Sequence, residues 1–218
     1  MEQLLVINTS PQCSASYSRQ MTERFVHLWR LRYPSGEIVY RELGNQPIPH
    51  VDERWVEAAF TPPEARNHQQ KDALALSDEL VSELKQATQL VIGCPMHNLS
   101  VPSTLKAYID QTVRMGVTTR LVPGTPGSPY AGLLHDKKAY LLLVRGGHGY
   151  EEDGAYAHMN FQQPYLTAVL GMLGVHDVTT VSLEYTAIGG DQFSEAVKRA
   201  NVRIDSLIPA SAPPMPTG

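Results

Sequence analysis

Three short stretches of the chain carry side chains and backbone that could do chemistry. The first is Thr9-Ser10-Pro11-Gln12-Cys13-Ser14-Ala15-Ser16-Tyr17-Ser18, with hydroxyls at Ser10, Ser14, Ser16 and Ser18. It lies between an apolar run and a helical pattern. Hydroxyls and free backbone N–H groups at a helix start suit a phosphate dianion, because the N–H groups point at its oxygens and the helix dipole favours its charge. A turn in which Ser16 or Ser18 merely caps the helix has the same composition. No Gly-Lys-Ser/Thr occurs here, so this is neither a P-loop nor a glycine-rich dinucleotide turn. The second stretch is Gly93-Cys94-Pro95-Met96-His97-Asn98-Leu99-Ser100, and the third is Arg145-Gly146-Gly147-His148-Gly149. Glycines in the third let backbone approach a ligand closely, although a plain turn also uses them. Covalent catalysis and metal chemistry find little support. Ser10 stands in no Gly-x-Ser-x-Gly turn, which makes a serine hydrolase a poor reading. Cys13 and Cys94 form neither a disulfide framework nor a metal pattern, and reduced thiols are expected.

The elements that must position these stretches alternate between strand and helix. Leu4 to Asn8 is a short apolar run, consistent with a strand buried on both faces. Met21, Phe25, Leu28 and Trp29 mark an amphipathic helix ending near Tyr33-Pro34. Glu37 to Arg41 reads as a second strand. A short helix is expected around 52–60, and a long one from about Asn67 to Ala87 with a stripe of Ala73, Leu76, Leu80 and Leu84. Leu90-Val91-Ile92 is the third strand. Pro102 suits the start of the helix that follows, which carries Leu105, Ile109 and Val113 and runs to Arg114. Residues 118–132, rich in Pro and Gly, have no period and read as a long surface excursion, a lid or binding loop. Lys137 to Val144 is a fourth strand, 163–174 a helix, Val175 to Leu183 the last strand and Asp191 to Ile208 the last helix. The tail 209–218 reads as disordered, leaving 1–208 as one domain.

This alternation predicts an α/β fold with five parallel strands in the order 2-1-3-4-5 and helices on both faces. The three chemical stretches follow strands one, three and four. In that order they meet at one edge, beside the switch point between strands one and three. A phosphate cradle beside a turn with Met96, His97 and Asn98, and beside a glycine-rich turn, fits a mononucleotide with a flat ring.

The whole chain narrows the classes further. It has 218 residues, a formal net charge of -4 and no basic run, which argues against nucleic acid as a partner. No apolar run approaches a membrane span, and no basic n-region precedes Leu4-Leu5-Val6-Ile7, so a cytoplasmic protein is expected.

At these residues the sequence resembles the FMN-dependent NAD(P)H azoreductases and quinone reductases of flavodoxin-like fold, a three-layer sandwich. The most specific pieces are Pro95-Met96-His97-Asn98, Pro102 to Asp110, Arg114 to Thr118, Arg145-Gly146-Gly147 and Ala73 to Leu80. The resemblance covers nearly the whole chain. It implies FMN held non-covalently, with Ser10, Ser16, Tyr17 and Ser18 at its phosphate. Pro95, Met96, His97, Asn98 and Leu99 are then expected along the isoalloxazine, and Val144, Arg145, Gly146 and Gly147 at its other edge. It also implies homodimers whose sites are completed by the partner subunit. The implied activity is reduction of quinones and aromatic azo compounds by NADH or NADPH, in a ping-pong route of hydride transfer through flavin N5. No side chain is an obligatory acid. The N–H groups of Gly146 and Gly147 are expected to offset charge on the reduced flavin, with His148 adding to this. Where family members commonly have Tyr-Asn-Phe, this chain has His97-Asn98-Leu99. The aromatic residues expected after Val117-Thr118 are Thr119 and Leu121, and the loop 121–133 is longer. A flavodoxin-like electron carrier and a non-enzymatic regulator of the same fold are the other readings.

Overall fold

The computed structural model describes residues 1–12, 14–124 and 127–208. The expectations for Cys13 and for the tail 209–218 lie outside these residues. Five strands, β1 (Gln3–Asn8), β2 (Glu37–Glu42), β3 (Gln89–Pro95), β6 (Lys138–Val144) and β7 (Asp177–Leu183), form one sheet. All neighbours are parallel and the order is β2-β1-β3-β6-β7. This is the order expected, with two further short strands falling between the third and fourth members. Those are β4 (Thr119–Leu121) and β5 (Tyr130–Gly132), an antiparallel pair inside the expected excursion. Three-residue strands are too short to show alternation, so the sequence pattern hid them.

Side chains alternate across the sheet and feed two cores. Leu5, Ile7, Leu90, Ile92, Leu141 and Leu143 face α3 (His68–Gln86), α4 (Ser103–Thr112) and α5 (Gln163–Leu173). Leu4, Val6, Val91, Leu142 and Val144 face α1 (Tyr17–Arg32) and α6 (Gly190–Leu207). Each central strand is apolar on both sides because helices cover both faces. The short helix α2 (Glu53–Phe60) packs Trp55 and Ala58 on Leu74 of α3.

That contact changes the buried stripe of α3. Leu74, Ser77, Leu80, Val81 and Leu84 are buried, whereas Ala73 and Leu76 are half-buried. The helix meets α2 as well as the sheet, so its covered face is turned by about one residue from the expected stripe. Helix α4 stops at Thr112, two residues before Arg114. The Thr112 hydroxyl donates back to Tyr108 O, and Thr118 Oγ1 donates to Thr112 O at 2.7 Å, which ends the ladder with a side-chain partner.

Candidate functional site

The register sets the three stretches level. Asn8 at the end of β1 lies opposite Gly93, Pro95 opposite Val144, and Val144 opposite Leu183. Backbone bonds continue past the strand ends: Thr9 N donates to Gly93 O (3.1 Å), Met96 N to Val144 O (2.7 Å) and Arg145 N to Leu183 O (2.8 Å). The three loops therefore form one continuous edge, as the strand order demanded.

The first loop is lined by hydroxyls. Ser10, Ser16 and Ser18 are all nearly inaccessible. Ser16 is the N-cap of α1; its Oγ accepts from Arg19 N at 3.3 Å and lies 3.1 Å from Ser18 Oγ. Ser10 Oγ accepts from Gln12 N at 3.2 Å. Tyr17 is half-buried, with its ring edge-on to Phe193. Among the described residues the N–H groups of Tyr17 and Ser18 have no hydrogen-bond partner, which is the ordinary state of a helix start. Ser16 thus caps the helix and stands among the residues expected at a phosphate. Two glycines let this loop sit where it does. A Cβ on Gly44 would fall 2.0 Å from Ser10 O, and one on Gly93 2.7 Å from Thr22 Cγ2 and 3.0 Å from Ser18 O.

Beneath the loop runs a polar line that the sequence did not announce. Asn8 Nδ2 donates to Glu42 Oε1 (2.7 Å), Thr22 Oγ1 donates to Asn8 Oδ1 (2.8 Å), and Arg19 pairs with Glu42. It ties the start of α1 to the ends of β1 and β2.

The second loop is a tight turn. His97 N donates to Ser100 O and Ser100 N to His97 O, both at 3.0 Å. Asn98 and Leu99 have φ of 47° and 70°. Left-handed backbone is ordinary for asparagine but costly for leucine, and such strain gathers at functional sites. His97 and Asn98 are exposed; Pro95, Met96 and Leu99 are half-buried. Cys94 lies within β3 and is free and fully buried; desolvation pushes its thiol up to about 12, so it is a packing thiol and not a nucleophile.

The third loop is held from below. The Arg145 guanidinium is fully buried and pairs with Glu151 (2.6 Å) and Glu184 (3.2 Å), while its Nε donates to Gln162 Oε1 at 3.2 Å. Glu184 also accepts from Gly149 N (3.0 Å) and Tyr150 N (3.1 Å). The Arg145 side chain is thus committed to the interior, and what it gives the surface is the shape of the turn. Tyr185 N, Thr186 N and Ala187 N donate to Gly147 O, Arg145 O and Gly146 O, which uses the carbonyls of the turn. The N–H groups of Gly146 and Gly147 have no partner among the described residues. The His148 ring stacks on Tyr185 at 4.6 Å and 9°. Tyr185 itself is in the left-handed region, with φ of 69°.

Two residues at this edge escaped the sequence reading. Glu184 follows the last strand, and an acid there looks like a surface charge until Arg145 is placed under it. Phe161 precedes α5, with its N–H on Leu99 O. An isolated aromatic residue beside a proline-led helix gave no signal. Thr119, by contrast, is fully buried, while Leu121 is exposed.

Elsewhere the surface offers less chemistry. A concavity of about 540 Å³ is lined by His50, Asp52, Trp55, Asp72 and Gln111, and one of about 430 Å³ by Glu2, Arg32, Gln89, Asp136 and Lys138. Neither touches the three loops. Among the described residues no group of His, Cys, Asp or Glu could hold a metal ion. The edge therefore presents hydroxyls and N–H donors at one end and N–H donors at the other, separated by a rigid turn. That arrangement matches a phosphate joined to a flat, hydrogen-bond-accepting ring.

A family model described as flavodoxin-like fold matches residues 2–208, and the chain belongs to that family. An FMN-dependent NADH:quinone oxidoreductase from Nostoc sp. is 41% identical over 208 residues, covering 95% of this chain and 99% of the relative. An FMN-dependent NAD(P)H:quinone oxidoreductase from Pseudomonas aeruginosa is also 41% identical, with 95% and 98% covered. Among solved structures, an azoreductase from Bacillus anthracis superposes with a TM-score of 0.84 at 24% identity, covering 95% of this chain and 99% of that one. At that identity the likeness is one of fold.

Proposed function

We propose that this chain is an FMN-dependent NAD(P)H:quinone oxidoreductase that also reduces aromatic azo compounds. The observation that carries the reading is the convergence on one edge of two separate sets of N–H groups without partners among the described residues, those of Tyr17 and Ser18 and those of Gly146 and Gly147. The relatives reported above support the cofactor and the reaction class. FMN, when bound, supplies the two-electron chemistry between nicotinamide and acceptor.

The residues of the chain bind and orient. Ser10, Ser16, Tyr17 and Ser18 hold the phosphate with hydroxyls and helix-start N–H groups. Pro95 to Leu99 form a stiff wall for the ring. The Gly146 and Gly147 N–H groups donate to the ring edge where negative charge develops, fixed in place before the reaction by the Arg145–Glu184 support below. His148, held beside that turn by stacking on Tyr185, assists them. His148→Ala is therefore expected to lower the reduction potential of the bound flavin, read by dye equilibration; an unchanged potential would leave that role to the two glycines alone. Protons for the acceptor come from water, and no side chain is assigned as an obligatory acid. We further infer a cytoplasmic homodimer in which the partner subunit closes each site. No helix among the described residues is long and apolar enough to cross a membrane, and a single sedimenting species at monomer mass would refute the dimer.

The deciding experiment is the absorbance spectrum of the purified protein with FMN, before and after anaerobic NADH or NADPH. Flavin bands that bleach, and return on adding a quinone, are expected. A flavin that neither nicotinamide bleaches would point to an electron carrier. Failure to take up FMN would point to a regulator of the same fold.

A further inference from the structure

Among the described residues, the phenylalanine and tyrosine rings around the three loops are engaged with one exception. Tyr17 packs against Phe193 at 5.1 Å, and Tyr185 stacks on His148. Tyr150 faces Tyr156 at 6.2 Å and lies under the Arg145 guanidinium at 6.0 Å. Phe161 makes no ring or cation contact among the described residues, and it is 57% exposed. A phenyl ring left in water forgoes the burial that its apolar area would gain. This exposure does not come from a slack backbone. Phe161 N donates to Leu99 O at 3.0 Å, and Ser100 Oγ donates to Phe161 O at 3.3 Å. On one side Asn160 Oδ1 accepts from Gln162 N and Gln163 N, both at 3.2 Å. On the other, Gln162 is fully buried and its Nε2 donates to Cys94 O at 3.0 Å. Gln162 ties the chain to the end of β3, Asn160 bonds the next two N–H groups, and the Phe161 backbone is bonded to Leu99 and Ser100, so the exposed residue sits beside the strained 97–100 turn. A rigid backbone that presents an unpartnered aromatic face is how a protein offers a stacking surface at small entropic cost.

We propose that Phe161 is a specificity-determining residue, its ring being the face on which a planar aromatic acceptor stacks; this rests on the flavin-enzyme reading given above. The ring selects flat aromatic acceptors over compact ones, because only a flat partner gains both burial and offset stacking. Phe161 is exposed, so its replacement leaves both cores intact.

The test uses the FMN-loaded wild type, Phe161→Ala and Phe161→Trp, without nicotinamide. Each is titrated with anthraquinone-2-sulfonate while the perturbation of the flavin bands is followed. Phe161→Ala is expected to weaken the dissociation constant about tenfold, Phe161→Trp to keep it, and all three to bind FMN alike. A quinone constant that does not move in Phe161→Ala overturns the proposal. So does a fall in sedimenting mass without a change in that constant, since the ring would then be a subunit contact. A wild type that takes up no FMN overturns the flavin reading and this proposal together. FMN uptake with an unmoved quinone constant overturns the role of Phe161 alone.

Discussion

Arg145 and Glu184 show how much of a site can rest on residues that never reach its surface. The guanidinium is fully buried, and Glu184 is the less exposed of its two carboxylate partners. Glu184→Gln would leave a buried cation facing only Glu151, whose side chain is more than half exposed. Removing one partner of a buried pair costs about 3 kcal/mol or more. The expected outcome is a loss of that order in urea unfolding, together with weaker FMN binding as the 145–150 turn loosens. A variant that loses stability but binds FMN normally would separate the support from the site. The place of Ser16 and Ser18 at the start of α1 was legible in the sequence, because hydroxyls before a helix signal its cap. Glu184 and its pairing with Arg145 were not, because the two lie 39 residues apart and only the fold makes them partners. The left-handed Leu99 was equally hidden, since nothing about a leucine advertises its φ.

Among the elements, the parallel strands and their covering helices were legible from apolar runs and helical spacing, and the level ends of β1, β3 and β6 followed from the strand order. The short strands β4 and β5 were not, and neither was the exact stripe of α3. In both cases a neighbour decided what local pattern could not. The junction of β2 with the first loop gives a sharp test. A Cβ on Gly44 would meet Ser10 O at 2.0 Å and Ser10 C at 2.6 Å, both backbone atoms. Gly44→Ala should therefore displace the loop before α1, at a cost of about 1–3 kcal/mol. FMN affinity should fall while β2 and β1 remain paired, a result that amide exchange along β1 can check. Wild-type affinity in this variant would mean that the loop does not hold the phosphate.

For the molecule as a whole, the pH dependence of stability follows from which groups are held away from their ordinary ranges. Burial raises the Cys94 thiol to about 12, the Tyr165 phenol to about 12, and the phenols of Tyr108 and Tyr140 as well. Each is an acid that ionises more readily in the unfolded chain, so stability is full below about pH 9 and falls as pH rises toward 12. On the acid side, hydrogen bonds from Thr88 and Gln89 lower Glu2, and the bond from Arg24 lowers Asp205. Their contribution is present at neutral pH and is lost as pH falls below the usual carboxylate range. Melting temperature against pH should thus form a plateau with an alkaline shoulder beginning near the thiol range; a plateau that continues unbroken through pH 11 would contradict these burials. A companion test uses Cys13→Ser, which leaves Cys94 as the sole cysteine. Iodoacetamide should label it only when the protein is unfolded.

The hairpin of β4 and β5 closes on the body at a seam of bare backbone. A Cβ on Gly132 would fall 1.9 Å from Gly174 N, and Leu133 N and Leu134 N are bonded to Thr118 O and Leu173 O. Because that seam seals before the tip begins, the number of residues between Leu121 and Tyr130 is uncoupled from the register of the main sheet, and closing a longer tip adds only slowly to the cost of folding. The segment is therefore a cassette: descent or a combinatorial library can rewrite its length and composition while the two ends stay sewn in place, and the glycines at 132 and 174 are the stitches that neither can change.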